Sequence, residues 1–167
     1  MQLLDGKATA AALRAELAEE VQHLAAKAGR RPGLAVILVG EDGASATYVR
    51  NKERACIETG IISEVIRLPA ATGQDELLGV IKGLNKRQDI DGILLQLPLP
   101  EGLDSSPCLE AIAHAKDVDG FHPENMGRLV LGLPGLRPCT PAGVIELLRR
   151  YDLSTQGKKA VVLGRSN

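Results

Sequence analysis

Residues 33–40, GLAVILVG, constrain this chain more than any other stretch. They carry no charged or polar side chain, include β-branched residues, and have glycine at each end. A run with no polar alternation has no wet face, so it reads as a strand buried on both sides. Such a strand belongs inside a parallel sheet, where helical crossovers cover both faces. The rest of the chain follows that demand. Residues 62–68 and 91–97 read as further strands, stopped by Pro69 and by Pro98 with Pro100, and KKAVVLG at 158–164 reads as a fourth.

Helical patterns lie between these runs. Asp5 caps a first helix with Leu13, Leu17, Val21 and Leu24 at helical spacing and Gly29 as its stop. A second helix runs from Gly43 to Gly60. A third, about 74–87, carries Leu77, Leu78, Ile81 and Leu84, and a fourth lies around Pro107 to Ala115. The segment KDVDGFHPENMGRL (116–129) reads as a loop. Thr140 caps a last helix, with Pro141 where a missing N–H costs nothing and Val144, Leu147 and Leu148 turned inward. The expected fold class is α/β, a three-layer αβα arrangement with a mainly parallel sheet. Ligands of such sheets bind beyond the carboxyl ends of the strands. Three segments lie there: the turn into the second helix, the exit from Gln96 to Pro100, and Gly164-Arg165-Ser166.

Charge and cysteine content exclude several functions. The formal charge is −1 and the basic residues are scattered, which argues against a nucleic-acid or anionic-membrane surface. Three cysteines at irregular spacing make neither a disulfide framework nor a zinc knuckle, so a reducing cytoplasm is the expected compartment. The N-terminus lacks the basic and apolar segments of a signal peptide, and no apolar run reaches the ~18 residues of a membrane span. A parallel strand ending at its first glycine turn would lack a covering helix. The 167 residues are therefore expected to be the front part of a longer chain.

Five positions stand out chemically. Ser45, Tyr48 and Lys52 share one face of the second helix, because residues three, four and seven apart stack along a helix. In a chain with two tyrosines, one phenylalanine and no tryptophan, a hydroxyl, a phenol and an amine in line form an unusual stripe. It is either a ligand-facing row or a packed tyrosine beside a solvated lysine. Gln96 interrupts an apolar strand; a buried amide must find partners or cost about 1–3 kcal/mol. It either satisfies a neighbouring loop or points at a ligand or at Lys52. Asp119 sits between Val118 and the Gly120-Phe121 pair, as a surface turn or as a half-buried carboxylate. Calcium does not fit this loop, since Ala115 and Met126 fall on required ligand positions. No histidine or cysteine spacing suggests a metal.

Taken in order, SATYVRNKERACIETGI (45–61), DGILLQLPLP (91–100), KDVDGFHPENMGRL (116–129), PCTPAGVIELL (138–148) and GKKAVVLGRSN (157–167) resemble one family. It is the bifunctional methylenetetrahydrofolate dehydrogenase/methenyltetrahydrofolate cyclohydrolases. The resemblance implies a folate-binding catalytic domain over 1–138. Residues 139–167 would be a linking helix and the first strand and turn of a Rossmann-like NADP-binding domain. Folate would lie in a cleft between the two domains, with Tyr48 stacked on its ring system. Lys52 would manage protons at the reacting carbon, Gln96 would contact and tune that lysine, and Asp119 would anchor the pterin edge. Ser45 would assist near the lysine. Gly164, Arg165 and Ser166, with Thr140 nearby, match the start of the NADP-binding turn, and a homodimer is implied for the full-length form. The family's nucleotide-binding domain continues past residue 167. The alternative is therefore a folate-binding module without dehydrogenase turnover, and a plain structural α/β domain is the third reading.

Overall fold

The structure is a computed structural model that describes residues 3–164. At its centre lies β1 (Gly33–Val39), buried at every position except Leu34, which is half-buried, as its unbroken apolar sequence requires. On one side β2 (Ile62–Leu68) pairs with it from Gly33–Ile62 to Val39–Leu68. On the other, β3 (Gly92–Leu95) pairs from Leu34–Gly92 to Ile37–Leu95. Both ladders are parallel and the order is β2-β1-β3. The chain moves from β1 to one neighbour and then, through β2, to the strand on the opposite side. That reversal puts a topological switch point between the carboxyl ends of β1 and β3.

The pleat of β1 sorts the core into two layers. Ala35, Ile37 and Val39 join Ile93 and Leu95 against Leu77, Ile81 and Leu84 of α3 (Gln74–Lys86) and Cys108 of α4 (Ser105–Ala111). Val36, Leu38 and Leu94 meet Val49 of α2 (Gly43–Thr59) on the opposite face. Each fully buried aliphatic side chain contributes roughly 1.5–3 kcal/mol. The three-layer expectation holds. α1 (Gly6–Ala28) packs on α2 and not on the sheet, so of its predicted stripe only Val21 is buried, while Leu17 and Leu24 stay exposed.

Local chemistry sets the boundaries. Asp5 accepts from the Ala8 N–H at 2.9 Å, and Gly29 ends α1 in the left-handed region. Asp42 and Gly60 do the same for α2. The predicted fourth helix is earlier and shorter. The Asp104 carboxylate caps it at Ser106, and Asn85 bonds the Ala111 carbonyl and the Ala113 N–H at 2.7 and 2.9 Å, which stops it; His114–Lys116 form a separate 3-10 turn. β3 ends at Leu95, before Gln96, because the prolines beyond have no N–H to extend a ladder. The Leu97–Pro98 peptide is cis.

Four expectations are corrected near the C-terminal end. The 116–129 segment is not all loop: α5 (Pro123–Val130) forms in it, with Pro123 in its first turn and His122 Nδ1 accepting from the Glu124 N–H. Thr140 does not cap the next helix. α6 (Cys139–Arg150) starts at Pro138, so Thr140 lies inside its first turn, and Pro141 is still early enough that its missing N–H goes unneeded. Val144 is exposed, because α6 meets α1 only near its end. There Arg150 grips Glu16 at 2.6 Å and the Tyr151 hydroxyl accepts from the Asp5 N–H. Lys158–Gly164 forms no strand among the described residues, with Val161, Val162 and Leu163 exposed; a strand exists only through a paired neighbour. Among the described residues no helix is long and apolar enough to cross a membrane.

Candidate functional site

α2 starts where β1 ends, so its first turns stand at the switch point. Ser45 is buried there. Its N–H donates to the Asp42 carboxylate at 2.7 Å and its hydroxyl bonds the same group; backbone bond first, these hold Asp42 below the usual carboxylate range. Ser45 thus builds the helix start, and among the described residues no hydrogen bond joins it to Lys52. One turn on, Tyr48 is 60% exposed, an open aromatic face in a chain with few.

A further turn along, Lys52 is half-buried and its Nζ donates to Gln96 Oε1 at 3.0 Å. Two more bonds fix that amide. Gln96 Nε2 donates to the Leu97 carbonyl at 2.7 Å, and the Gln96 N–H donates to the Ile37 carbonyl at 2.9 Å. With its nitrogen committed to the backbone, the amide has only oxygen to offer the amine. Both sequence alternatives for Gln96 are therefore realised at once.

Asp119 reaches the same place from the other side of β3. Its loop is tied down by Asp117, which is buried and forms a parallel bridge to Ile93. Asp117 Oδ2 accepts from the His122 N–H at 2.8 Å and from Asn125 Nδ2 at 2.9 Å; Asn125 also donates to the His114 carbonyl. Gly120, at φ +68, completes the turn. A Cβ there would lie 2.6 Å from the Arg137 carbonyl carbon and 2.8 Å from the Pro138 nitrogen, so only glycine lets the chain before α6 pack on this loop. Asp119 is half-buried, and burial pushes its carboxyl up. The Lys52 ammonium opposes that, Asp117 adds to it, and the Cys139 thiol opposes it.

Amine, amide and carboxylate therefore converge at the sheet's switch point, with the tyrosine one turn away from the amine. Such a group can hold a flat polar molecule at one edge and move a proton near its centre. Thr140 is exposed beside Cys139, and Gly164 is exposed at φ +154. Among the described residues no hydrogen bond joins either to the Lys52 group, and Arg165 and Ser166 lie outside those residues. Reading the sequence missed Asp117, Asn125 and Cys139. An aspartate two before Asp119 and an asparagine after a histidine–proline helix start were the available signals.

A family model for the tetrahydrofolate dehydrogenase/cyclohydrolase catalytic domain matches residues 4–119, and one for the family's NAD(P)-binding domain matches 138–167. The bifunctional protein FolD of Nitratidesulfovibrio vulgaris strain DP4 is 71% identical over all 167 residues. That of Moorella thermoacetica is 59% identical over 166 residues, 99% of the chain. The chain spans 58% and 59% of the length of these two relatives. Among solved structures, the FolD enzyme of Campylobacter jejuni aligns at a TM-score of 0.97 with 50% identity, over 99% of this chain and 59% of that one. The Trypanosoma brucei dehydrogenase-cyclohydrolase, solved with NADP cofactor and inhibitor, aligns at 0.92 with 39% identity, over 97% of this chain and 56% of that one. With the catalytic-domain model covering well over half of its residues, the chain belongs to the tetrahydrofolate dehydrogenase/cyclohydrolase family.

Proposed function

We propose that the protein, in its full reading frame, oxidises methylenetetrahydrofolate with NADP and hydrolyses the resulting methenyl form to formyltetrahydrofolate. The observation that carries this reading is the Lys52–Gln96 hydrogen bond facing the half-buried Asp119 at the β1/β3 switch point. Family membership supplies the substrate class. Tyr48 offers its open ring to the pterin, and Asp119 accepts from the pterin's amide and amino edge. Gln96 is a positioning residue that orients the amine. The substrate stays outside the enzyme's covalent framework throughout.

The hydrolytic step follows from these roles. Water attacks the cationic methenyl carbon and gives up a proton. Lys52, whose amine Gln96 holds in place, is the side chain positioned to accept that proton. When the bond from carbon to one ring nitrogen breaks, its electron pair stays on nitrogen and Lys52 returns the proton there, while the new hydroxyl gives its own proton to solvent as the C=O forms. The formyl group remains on the other nitrogen.

NADP would supply hydride acceptance in the preceding step. The described residues do not by themselves make its cradle: Lys158–Gly164 lacks the strand and helix that would present backbone N–H groups to phosphates, and Thr140 and Gly164 alone do not replace them. The narrower alternative, a folate-binding domain without hydride transfer, would bind folate and form no NADPH. The proposal also takes the domain boundary at 138/139 and a homodimeric, cytoplasmic enzyme acting without nucleic acid or membrane.

The test is a pair of absorbance assays on the protein expressed from its complete reading frame. Loss of methenyltetrahydrofolate and NADP-dependent formation of NADPH from methylenetetrahydrofolate are both expected. Neither activity, in a folded protein, would overturn the reading.

A further inference from the structure

α5 buries a single residue, and that residue is polar: Asn125. An apolar side chain could fill the same space, whereas a buried amide without partners is destabilising. Asn125 meets the demand with one nitrogen. Its Nδ2 donates to the His114 carbonyl at 2.8 Å and to Asp117 Oδ2 at 2.9 Å, so both of its hydrogens are used. Both acceptors lie in the chain just before Asp119. From there the loop closes on itself. The Gly120 N–H donates to the Asp117 carbonyl at 3.1 Å, and the His122 N–H donates to Asp117 Oδ2 at 2.8 Å. Asp119 stands within this closed turn. The stretch leading into it is held to the end of α3, where Asn85 bonds Ala111 and Ala113 and Lys116 Nζ donates to the Arg87 carbonyl at 2.7 Å.

We propose that Asn125 is a positioning residue for the folate site: by tying the Asp117 carboxylate to the His114 carbonyl, it fixes the turn that presents Asp119 to the substrate. The inference rests on the folate reading of this site. Asn125 acts only through its neighbours, since its two acceptors are Asp117 and His114. A second link between α5 and the same stretch is the ion pair of His114 Nδ1 with Glu124 Oε2 at 3.1 Å, with side chains 45% and 41% exposed. Water screens that pair, so it fixes little. The amide bonds are buried and directional, and such bonds select one arrangement of the chain they join. Without them Asp117 keeps the His122 N–H but loses its tie to His114, and the turn carrying Asp119 is free to shift.

A double-mutant cycle on the full-length protein tests this. Tetrahydrofolate affinity and the urea midpoint are measured for the unaltered protein, Asn125→Ala, Asp119→Ala and the double variant. Asn125→Ala is expected to bind about 3- to 10-fold more weakly, the range of one ordinary hydrogen bond, with methenyltetrahydrofolate hydrolysis at saturation changed less than about twofold. In the Asp119→Ala background the same substitution is expected to weaken binding no further. The urea midpoint is expected to fall in both backgrounds, so stability and positioning separate. Should Asn125→Ala not fold, Asn125→Ser, which leaves a hydroxyl among the buried acceptors, carries the cycle, with a loss of about twofold in the same pattern. Unchanged affinity in the folded single variant, or an equal loss in both backgrounds, would overturn the inference. A loss from Asp119→Ala would then leave the folate reading intact. Failure of the unaltered protein to bind tetrahydrofolate would sink that reading and the inference with it.

Discussion

Replacing Lys52 by glutamine in the full-length protein is expected to lower methenyltetrahydrofolate hydrolysis by about 10²-fold or more, with folate affinity changed less than about threefold. A positioned proton acceptor contributes roughly 10²–10⁴-fold, and a glutamine of similar reach supplies none. The side chain would still hydrogen-bond Gln96, whose amide is anchored independently by the Leu97 and Ile37 backbones. The cleft is therefore expected to keep its shape. Steady-state hydrolysis beside a binding titration separates the alternatives. Equal losses in both would make Lys52 a binding residue, not a proton carrier.

Asp119→Ala is expected to do the reverse. Hydrogen bonds to a charged group are worth about 1.5–3 kcal/mol, so folate affinity falls by roughly 10- to 100-fold, while turnover at saturation falls less. The same carboxylate carries a stability cost whose sign can be worked out. Burial raises its pKa on folding, so the folded state prefers the neutral acid. The stabilisation from that preference is complete below the ordinary carboxylate range and is lost as pH rises through the raised value. At neutral pH the ionised group therefore opposes folding. Asp119→Asn is expected to raise the urea midpoint at pH 7, with the gain shrinking in acid. Unchanged affinity in the alanine variant would remove Asp119 from the site.

Much of this was legible before any coordinates. GLAVILVG (33–40) held because a run without polar residues has only one place to go, the middle of a covered parallel sheet. Asp5, Gly29 and Gly60 held because caps act within one turn of chain. The row from Tyr48 to Lys52 and the pairing of Lys52 with Gln96 could be anticipated from helix periodicity and from the cost of an unpartnered amide.

Features that depend on distant partners were less legible. The α1 stripe looked like a core face, yet α1 packs on another helix, so Leu17 and Leu24 stay exposed. Val161–Leu163 had a strand's composition but no neighbour to pair with among the described residues. Thr140 resembled a cap, but the chain entering α6 is fixed from outside by contact with Gly120, and the cap falls two residues earlier, at Pro138. The same contact brings the Cys139 thiol to the Val118 carbonyl at 3.4 Å, a meeting no local pattern could announce.

The most direct test of the central claim is a crystal structure of the protein with a bound tetrahydrofolate analogue. The account predicts the flat ring system lying against Tyr48, the bridge carbon within hydrogen-bonding distance of Lys52 Nζ, and the amide and amino edge on the Asp119 carboxylate. A ligand bound elsewhere, with the Lys52–Gln96 pair untouched and Asp119 unengaged, would contradict it.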